Sequence, residues 1–282
     1  MEKVTLLANA KLNLYLDITG RRADGYHLLE TVMQSVDLCD AVTVTRGGEG
    51  ISVSCTDPNI PSGEGNVCHR AALAFFERAG ARFGASIRID KRIPSGAGMG
   101  GGSADAAAAL RGLNALAGGA LSEEELLRAA LSAGADVPFC LCGGTRVCRG
   151  IGELMESAPP ITEGCYLVVK PQYSCPTGAA YASYDSAPRE PKNALSQFIA
   201  SGADYAERLY NVFEELYADE RTERIKRRLL SAGARGASLT GSGSAVFGVF
   251  ARESEAAGAA ALFPQCFTAV CRPCAAGVVQ LP

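Results

Sequence analysis

At 282 residues, with 48% apolar and 20% charged residues and a net charge of −3, the chain can bury a sizeable core and is long enough for two domains. The near-neutral balance, without a basic block, excludes the electrostatic footprint of a nucleic-acid partner, and no run of eighteen apolar residues offers a membrane span. The start, MEKVTLLANAKLNLYLDI, has no basic end ahead of a cleavable apolar stretch, so a cytoplasmic location is expected.

In chain order, the first third reads as strands. Segments 4–8, 12–18, 41–45, 51–55 and 86–89 are alternating or β-branched, with turn residues between them. Lys11 and Asn13 flank Leu12 and point to one face of their strand. That face is either solvated, or turned inward to meet a charged ligand or a carboxylate. Arg22 to His27 reads as a turn carrying an aromatic, Tyr26, and an imidazole, His27; it is a surface turn or a place for a base to stack. Asn66 to Arg78 has helical spacing, Ala104–Leu116 is a strong helix former, and Ser122 caps a helix that opens with three glutamates and ends near Gly134.

Between strand and helix lies KRIPSGAGMGGGSADAAAAL, residues 91–110. Glycines let the backbone approach a ligand closely, and a helix N-terminus presents unpaired N–H groups to an anion. A Walker loop is excluded because no lysine precedes the serine, and a dinucleotide fold because helices and not a second strand follow. Phosphate binding remains, with Ser103 placed to cap the helix, touch a phosphate or sit near a metal. Asp136, in GADVPFC, is a lone carboxylate in an apolar region: a turn or cap residue, or the proton acceptor that a kinase acting on an alcohol needs. Eleven scattered cysteines read as buried reduced thiols; Cys140/Cys142 and Cys271/Cys274 lack a second pair at metal-site spacing, and no metal ligand is assigned.

A break is expected at 157–164, dividing the chain into units 1–157 and 158–282. The second unit carries strands at 165–170, 237–240, 245–250 and 266–271, and helices at 203–217, 221–232 and 253–262, so an α+β class is expected. LTGSGSAVF (239–247) adds a second glycine–serine turn, either a tight β-turn or a support beside bound phosphates.

Together ANAKLNLYLDITGRRADGYHLLETVMQSVDL, RIPSGAGMGGGSADAAAAL, GADVPFC and SLTGSGSAVFG resemble the GHMP kinase superfamily over about residues 5–250. The Lys-x-Asn strand followed by Asp-Gly-Tyr-His resembles its branch acting on cytidine-diphosphate-linked methylerythritol. The resemblance implies a two-domain GHMP fold: a β-rich N-terminal domain with a left-handed β-α-β nucleotide site and a ferredoxin-like C-terminal domain. It also implies transfer of the ATP γ-phosphate to the 2-hydroxyl of that substrate, on the non-mevalonate route to isoprenoids. Asp136 would be the base, and Lys11 would orient it. Pro94, Gly96, Gly98, Gly100, Gly101, Gly102 and Ser103 would hold the ATP phosphates, and Asn66 the adenine. Tyr26, His27 and Tyr181 would take the cytosine, Asn13 would lie near the transferred oxygen, and Gly241 and Ser242 would support the substrate. Mg2+ is expected with ATP, and the enzyme as a monomer or homodimer. Val212 departs from the pattern, where many relatives carry aspartate.

Overall fold

The computed structural model describes residues 2–81, 83–217 and 220–282. Strands β1 (Lys3–Arg21) and β2 (His27–Arg46) form a long antiparallel hairpin, the spine of the first sheet. β3 (Ile51–Cys55) leads through α1 (Val67–Ala79) to β4 (Ala85–Asp90), which is parallel to β3 and antiparallel to β2. Helices α2 (Gly101–Leu116), α3 (Glu123–Ala133) and α4 (Val137–Cys142) follow, and then β5 (Thr145–Gly150) and β6 (Leu154–Ser157) extend the other half of β2.

The second sheet opens with β7 (Cys165–Lys170). Next come α5 (Thr177–Ser186), α6 (Leu195–Ala200), a 3-10 segment, the two-residue β8 (Tyr210–Asn211), α7 (Val212–Tyr217) and α8 (Glu220–Ser231). β9 (Gly236–Leu239), β10 (Val246–Phe250), α9 (Glu253–Ala260) and β11 (Phe267–Cys271) complete it in the antiparallel order β11-β7-β10-β9, a ferredoxin-like arrangement. β12 (Val278–Gln280) then returns to the first sheet and pairs with β1, as β8 also does. The α+β expectation holds. No helix among the described residues is long and apolar enough to cross a membrane.

Local chemistry accounts for the helices that frame the site. Asn66 caps α1 by accepting from the Cys68 N–H, and Gly80 ends that helix at φ 60°. Ser122 and Glu125 close a capping box on α3. α2 is built of small residues because it lies tight against the hairpin: a Cβ on Gly112 would stand 2.6 Å from Val44.

Several sequence expectations are corrected. The strands expected at 4–8 and 12–18 are one strand, because Asn9, Lys11 and Asn13 break the apolar alternation yet remain buried in it. The first half of β2, β5, β6, α5, α6 and β12 carried no clear signal. The helix expected at 203–217 is a 3-10 turn, a strand pair and a short helix. The expected opening of the α2 helix at Ser103 is also wrong: Gly100 holds the N-cap position at φ 70°, and Ser103 lies in the first turn.

Candidate active site

A cavity of about 960 Å³ lies between the glycine-rich segment, the β1–β2 hairpin and helix α5. It brings together every predicted site residue except Asn66. Asn66 is instead buried, with its side chain accepting from Cys68 and donating to the Pro61 carbonyl at 2.8 Å; its neighbour Val67 lines the cavity.

The glycine segment is fastened by its carbonyls. The Gly96 and Ala97 carbonyls accept from the N–H groups of Ser244 and Ala245, at 3.3 and 3.1 Å, and the Met99 carbonyl accepts from the Lys11 N–H at 3.0 Å. The Gly98 carbonyl accepts from Lys11 Nζ at 2.9 Å and Thr240 Oγ1 at 3.2 Å. The N–H groups of Gly96, Gly98 and Gly100 make no hydrogen bond to protein among the described residues, which leaves them for an anion. Gly96, Gly98 and Gly100 all take positive φ, and Gly98 in addition has no room for a side chain, since a Cβ would lie 2.0 Å from the Thr240 carbonyl oxygen. The second glycine–serine turn is therefore the backing of the first. Asn211 holds that turn by donating to the Leu239 and Gly241 carbonyls, each at 2.9 Å, while Val212 is packed in the second core.

Asp136 occupies the N-cap position of α4 but makes no capping hydrogen bond. Its carboxylate instead stands 3.7 Å from Lys11 Nζ, on a side chain about one-third exposed, whereas Lys11 is buried. Lys11 Nζ also donates to Asn13 Oδ1 at 2.5 Å, and Asn13 Nδ2 donates to Thr31 at 2.9 Å. A buried ammonium is thus held between a loop carbonyl, an amide and the Asp136 carboxylate, which faces the cavity. That arrangement fixes Asp136 and supplies positive charge where a phosphoryl group would sit.

At the other end Tyr26 is exposed, and His27 Nε2 meets Asp185 Oδ1 at 2.7 Å. His27 is stacked on Tyr181, with centroids 4.7 Å apart, and Arg21 pairs with the second Asp185 oxygen at 3.5 Å. Tyr181 therefore supports the imidazole on one face, and burial followed by the Asp136 charge pushes its phenol up. Asp185 was not anticipated, although Tyr181 and Asp185 are spaced to share a helix face.

A second unanticipated cluster anchors the loop. Lys91 Nζ bridges Asp40 at 2.5 Å and Asp105 at 2.7 Å, and Asp40 Oδ1 accepts the N–H groups of Arg92 and Ile93 at 2.5 and 2.9 Å. All three side chains are buried. Burial pushes the Asp105 carboxyl up to about 7, with Lys91 opposing and Asp40 adding to the rise. The signal for Asp40 was its register: it lies on the inward face of β2 with Val42 and Val44. Removing one partner of a buried pair costs about 3–5 kcal/mol, so Asp40→Ala should lower the urea midpoint by a corresponding amount, without a change in m-value. An unaltered midpoint would show that the cluster does not anchor the loop.

The cysteines form no group of three metal-ligating side chains among the described residues. Burial pushes the Cys148 thiol up to about 12 and raises Cys140 and Cys271 further, so these thiols are inert packing groups. Cys274 accepts from Asn9 Nδ2 at 3.4 Å.

Residues 66–144 match the family model for the GHMP kinases N terminal domain, and residues 192–267 that for the GHMP kinases C terminal domain. The chain is 41% identical over 264 residues to a 4-diphosphocytidyl-2-C-methyl-D-erythritol kinase of Geobacter metallireducens, covering 92% of this chain and 94% of that protein. A crystal structure of 4-(cytidine 5'-diphospho)-2C-methyl-D-erythritol kinase superposes with TM-score 0.78 at 31% identity, over 96% of this chain and all of that one (100%). A homoserine kinase from Cytophaga hutchinsonii superposes equally well, TM-score 0.79, over 100% of this chain and 98% of that one, but at 18% identity it speaks for the fold alone.

Proposed function

The chain belongs to the GHMP kinases and, among them, to the 4-diphosphocytidyl-2-C-methyl-D-erythritol kinases, and from that premise we propose the reaction of its cavity. It transfers the ATP γ-phosphoryl group to the 2-hydroxyl of 4-diphosphocytidyl-2-C-methyl-D-erythritol, in the non-mevalonate route to isoprenoid precursors. The observation that carries this reading is the shared cavity. One end holds the free N–H groups of the glycine segment beside the Lys11–Asp136 pair, and the other holds the Tyr26–His27 turn.

In the reaction the substrate hydroxyl oxygen bonds to the γ-phosphorus as the bond to the β-phosphate oxygen breaks. The hydroxyl proton passes to Asp136. Lys11, fixed by Gly98 and Asn13, keeps its ammonium beside both the carboxylate and the incoming phosphoryl charge. Phosphoryl transfer asks the protein mainly for positioning and electrostatics, and this constellation supplies both. Mg2+ fits as a companion of ATP: a cation that keeps several waters needs only one or two protein oxygens, and the Ser103 hydroxyl lines the cavity at the head of α2. When bound it would neutralise phosphate charge.

His27 gives the site its selectivity for cytosine. In the neutral ring, a proton held on Nε2 by Asp185 leaves Nδ1 as an acceptor, suited to the exocyclic amine that cytosine has and uracil lacks. Asp185→Ala should therefore raise KM for the cytidylyl substrate by about tenfold, with kcat and the KM for ATP nearly unchanged. A fall in kcat alone would remove Asp185 from substrate recognition.

The decisive experiment is coupled ATP turnover with the cytidine-diphosphate-linked substrate, compared with homoserine and mevalonate. Turnover with either small hydroxy acid and none with the cytidylyl compound would overturn the proposal. The fold does not separate these substrates, since the homoserine kinase superposes as well as the cytidylyl enzyme. The Tyr26–His27–Asp185 end of the cavity is the feature that favours the cytidylyl compound.

A further inference from the structure

Helix α5 places three residues around His27. Tyr181 stacks on the imidazole, Tyr184 meets it edge-on with centroids 5.7 Å apart, and Asp185 bonds Nε2. α5 buries little of itself, Ala180 and Tyr184, so its orientation depends on ties along its length. At the head Thr177 meets Ser242 at 3.2 Å, and at the middle Tyr181 lies edge-on to Phe213. The tail is tied through the segment that follows it, where the Arg189 carbonyl accepts from the Tyr184 hydroxyl at 3.2 Å.

That segment is strapped to β1 by a buried carboxylate. Asp17 Oδ2 accepts the Lys192 N–H at 2.7 Å and the Tyr15 hydroxyl at 3.3 Å, while Oδ1 accepts the Ile18 N–H at 3.0 Å. Tyr15 Oη in turn accepts the Ala194 N–H at 3.2 Å. Asn193, between the two anchored amides, takes a positive φ of 53°, which no other non-glycine residue does among the described residues. Asp17 is buried and has no cationic partner among the described residues; the Lys192 ammonium pairs instead with Glu215 at 3.2 Å. A buried carboxylate without a cation is costly, and here the N–H groups that offset the cost belong largely to the strap. A residue that breaks the local pattern of a strand in this way marks a functional need.

We propose that Asp17, outside the cavity, is a positioning residue for recognition of the cytidylyl substrate. It fixes the strap, the strap fixes the tail of α5, and the tail sets Tyr184 and Asp185 against His27. Asp17 pairs with Glu30 on β2, the strand that opens at His27, so α5 is braced on the same hairpin that carries the imidazole. The effect on substrate rests on the kinase reading, whereas the strap itself does not.

The test is steady-state kinetics of Asp17→Asn, Asp185→Ala and the double variant. Asparagine keeps the shape of the side chain but replaces an acceptor oxygen by an amide nitrogen, which loosens the strap. KM for the cytidylyl substrate should rise roughly 3- to 10-fold, the worth of one hydrogen bond, with kcat and the KM for ATP nearly unchanged. Added to Asp185→Ala, Asp17→Asn should move KM little further, because both act through the same contact. An unmoved KM for the cytidylyl substrate, a parallel rise in the KM for ATP, or effects that multiply in the double variant overturns the proposal. If Asp17→Asn does not fold, Tyr15→Phe keeps the ring and removes the hydroxyl between Asp17 and the Ala194 N–H, and the same criteria decide. If the wild-type chain does not turn over the cytidylyl compound, the kinase reading falls, and amide hydrogen exchange of the ligand-free chain then decides the strap alone. Asp17→Asn should speed exchange in residues 181–194 and leave residues 101–116 as they are; unaltered exchange in 181–194 overturns it.

Discussion

Replacing Asp136 by asparagine is expected to lower kcat by about 10²- to 10⁴-fold while leaving the affinity for ATP nearly intact, the range for loss of a positioned proton acceptor. The substitution keeps the shape of the side chain and its place ahead of α4, where it makes no capping bond that would be lost. It removes the acceptor and the negative charge 3.7 Å from Lys11 Nζ. Lys11 keeps its bonds to Asn13 and the Gly98 carbonyl, so the phosphate cradle stays in position. Single-turnover kinetics with ATP in excess reads the chemical step directly, and ATP titration of the same variant reads the cradle. A kcat reduced by less than tenfold would assign the proton elsewhere. A matching loss of ATP affinity would make Asp136 a structural member of the loop.

Gly98→Ala is expected to cost both stability and catalysis. The positive φ alone costs on the order of 1–3 kcal/mol for a residue with a side chain. The new methyl would lie 2.0 Å from the Thr240 carbonyl oxygen, a distance no Cβ tolerates, so the glycine segment and the Gly241–Ser244 turn must part. Parting moves the Gly98 carbonyl away from Lys11, and kcat/KM should fall roughly 10²-fold, the scale on which a 1 Å misplacement acts. Gly118→Ala is the matched control, since it has φ +72° with nothing within 4 Å of a new Cβ. If urea denaturation shows equal losses for the two variants, the contact with Thr240 contributes nothing and the two turns are not braced against each other.

The sequence displayed the parts of this molecule whose chemistry is local. α3 announced itself through Ser122 and the glutamates behind it, because a cap is a short-range event, and α1 through its helical apolar spacing. The glycine segment was legible because positive φ and close approach leave few residue types to choose from. What stayed hidden depends on partners far along the chain. The polar residues of β1 disguised its length, since Lys11 and Asn13 are buried only because Gly98, Asp136, Thr31 and Thr240 come to meet them. Asp40 lies just ahead of the strand expected at 41–45, and its role depends on Lys91 and the Arg92 and Ile93 N–H groups, some fifty residues on, that surround it. Asn66 carries a structural task that the sequence did not display. Its side chain bonds Cys68 and the Pro61 carbonyl at the head of α1, beside Val67, which lines the cavity.

The return of β12 to β1 bears on how the chain reaches its native state. Leu6 pairs with Gln280 and Ala8 with Val278, so this edge of the first sheet is closed by residues synthesised after the whole second sheet. Until then the outer side of Leu6–Ala8 is an unpaired strand edge, the kind of template that invites another chain. Contacts of such sequence separation also slow folding, because the loop entropy is lost before the contact is gained. Nascent chains are therefore most exposed to misassembly at β1, the same strand that carries Lys11.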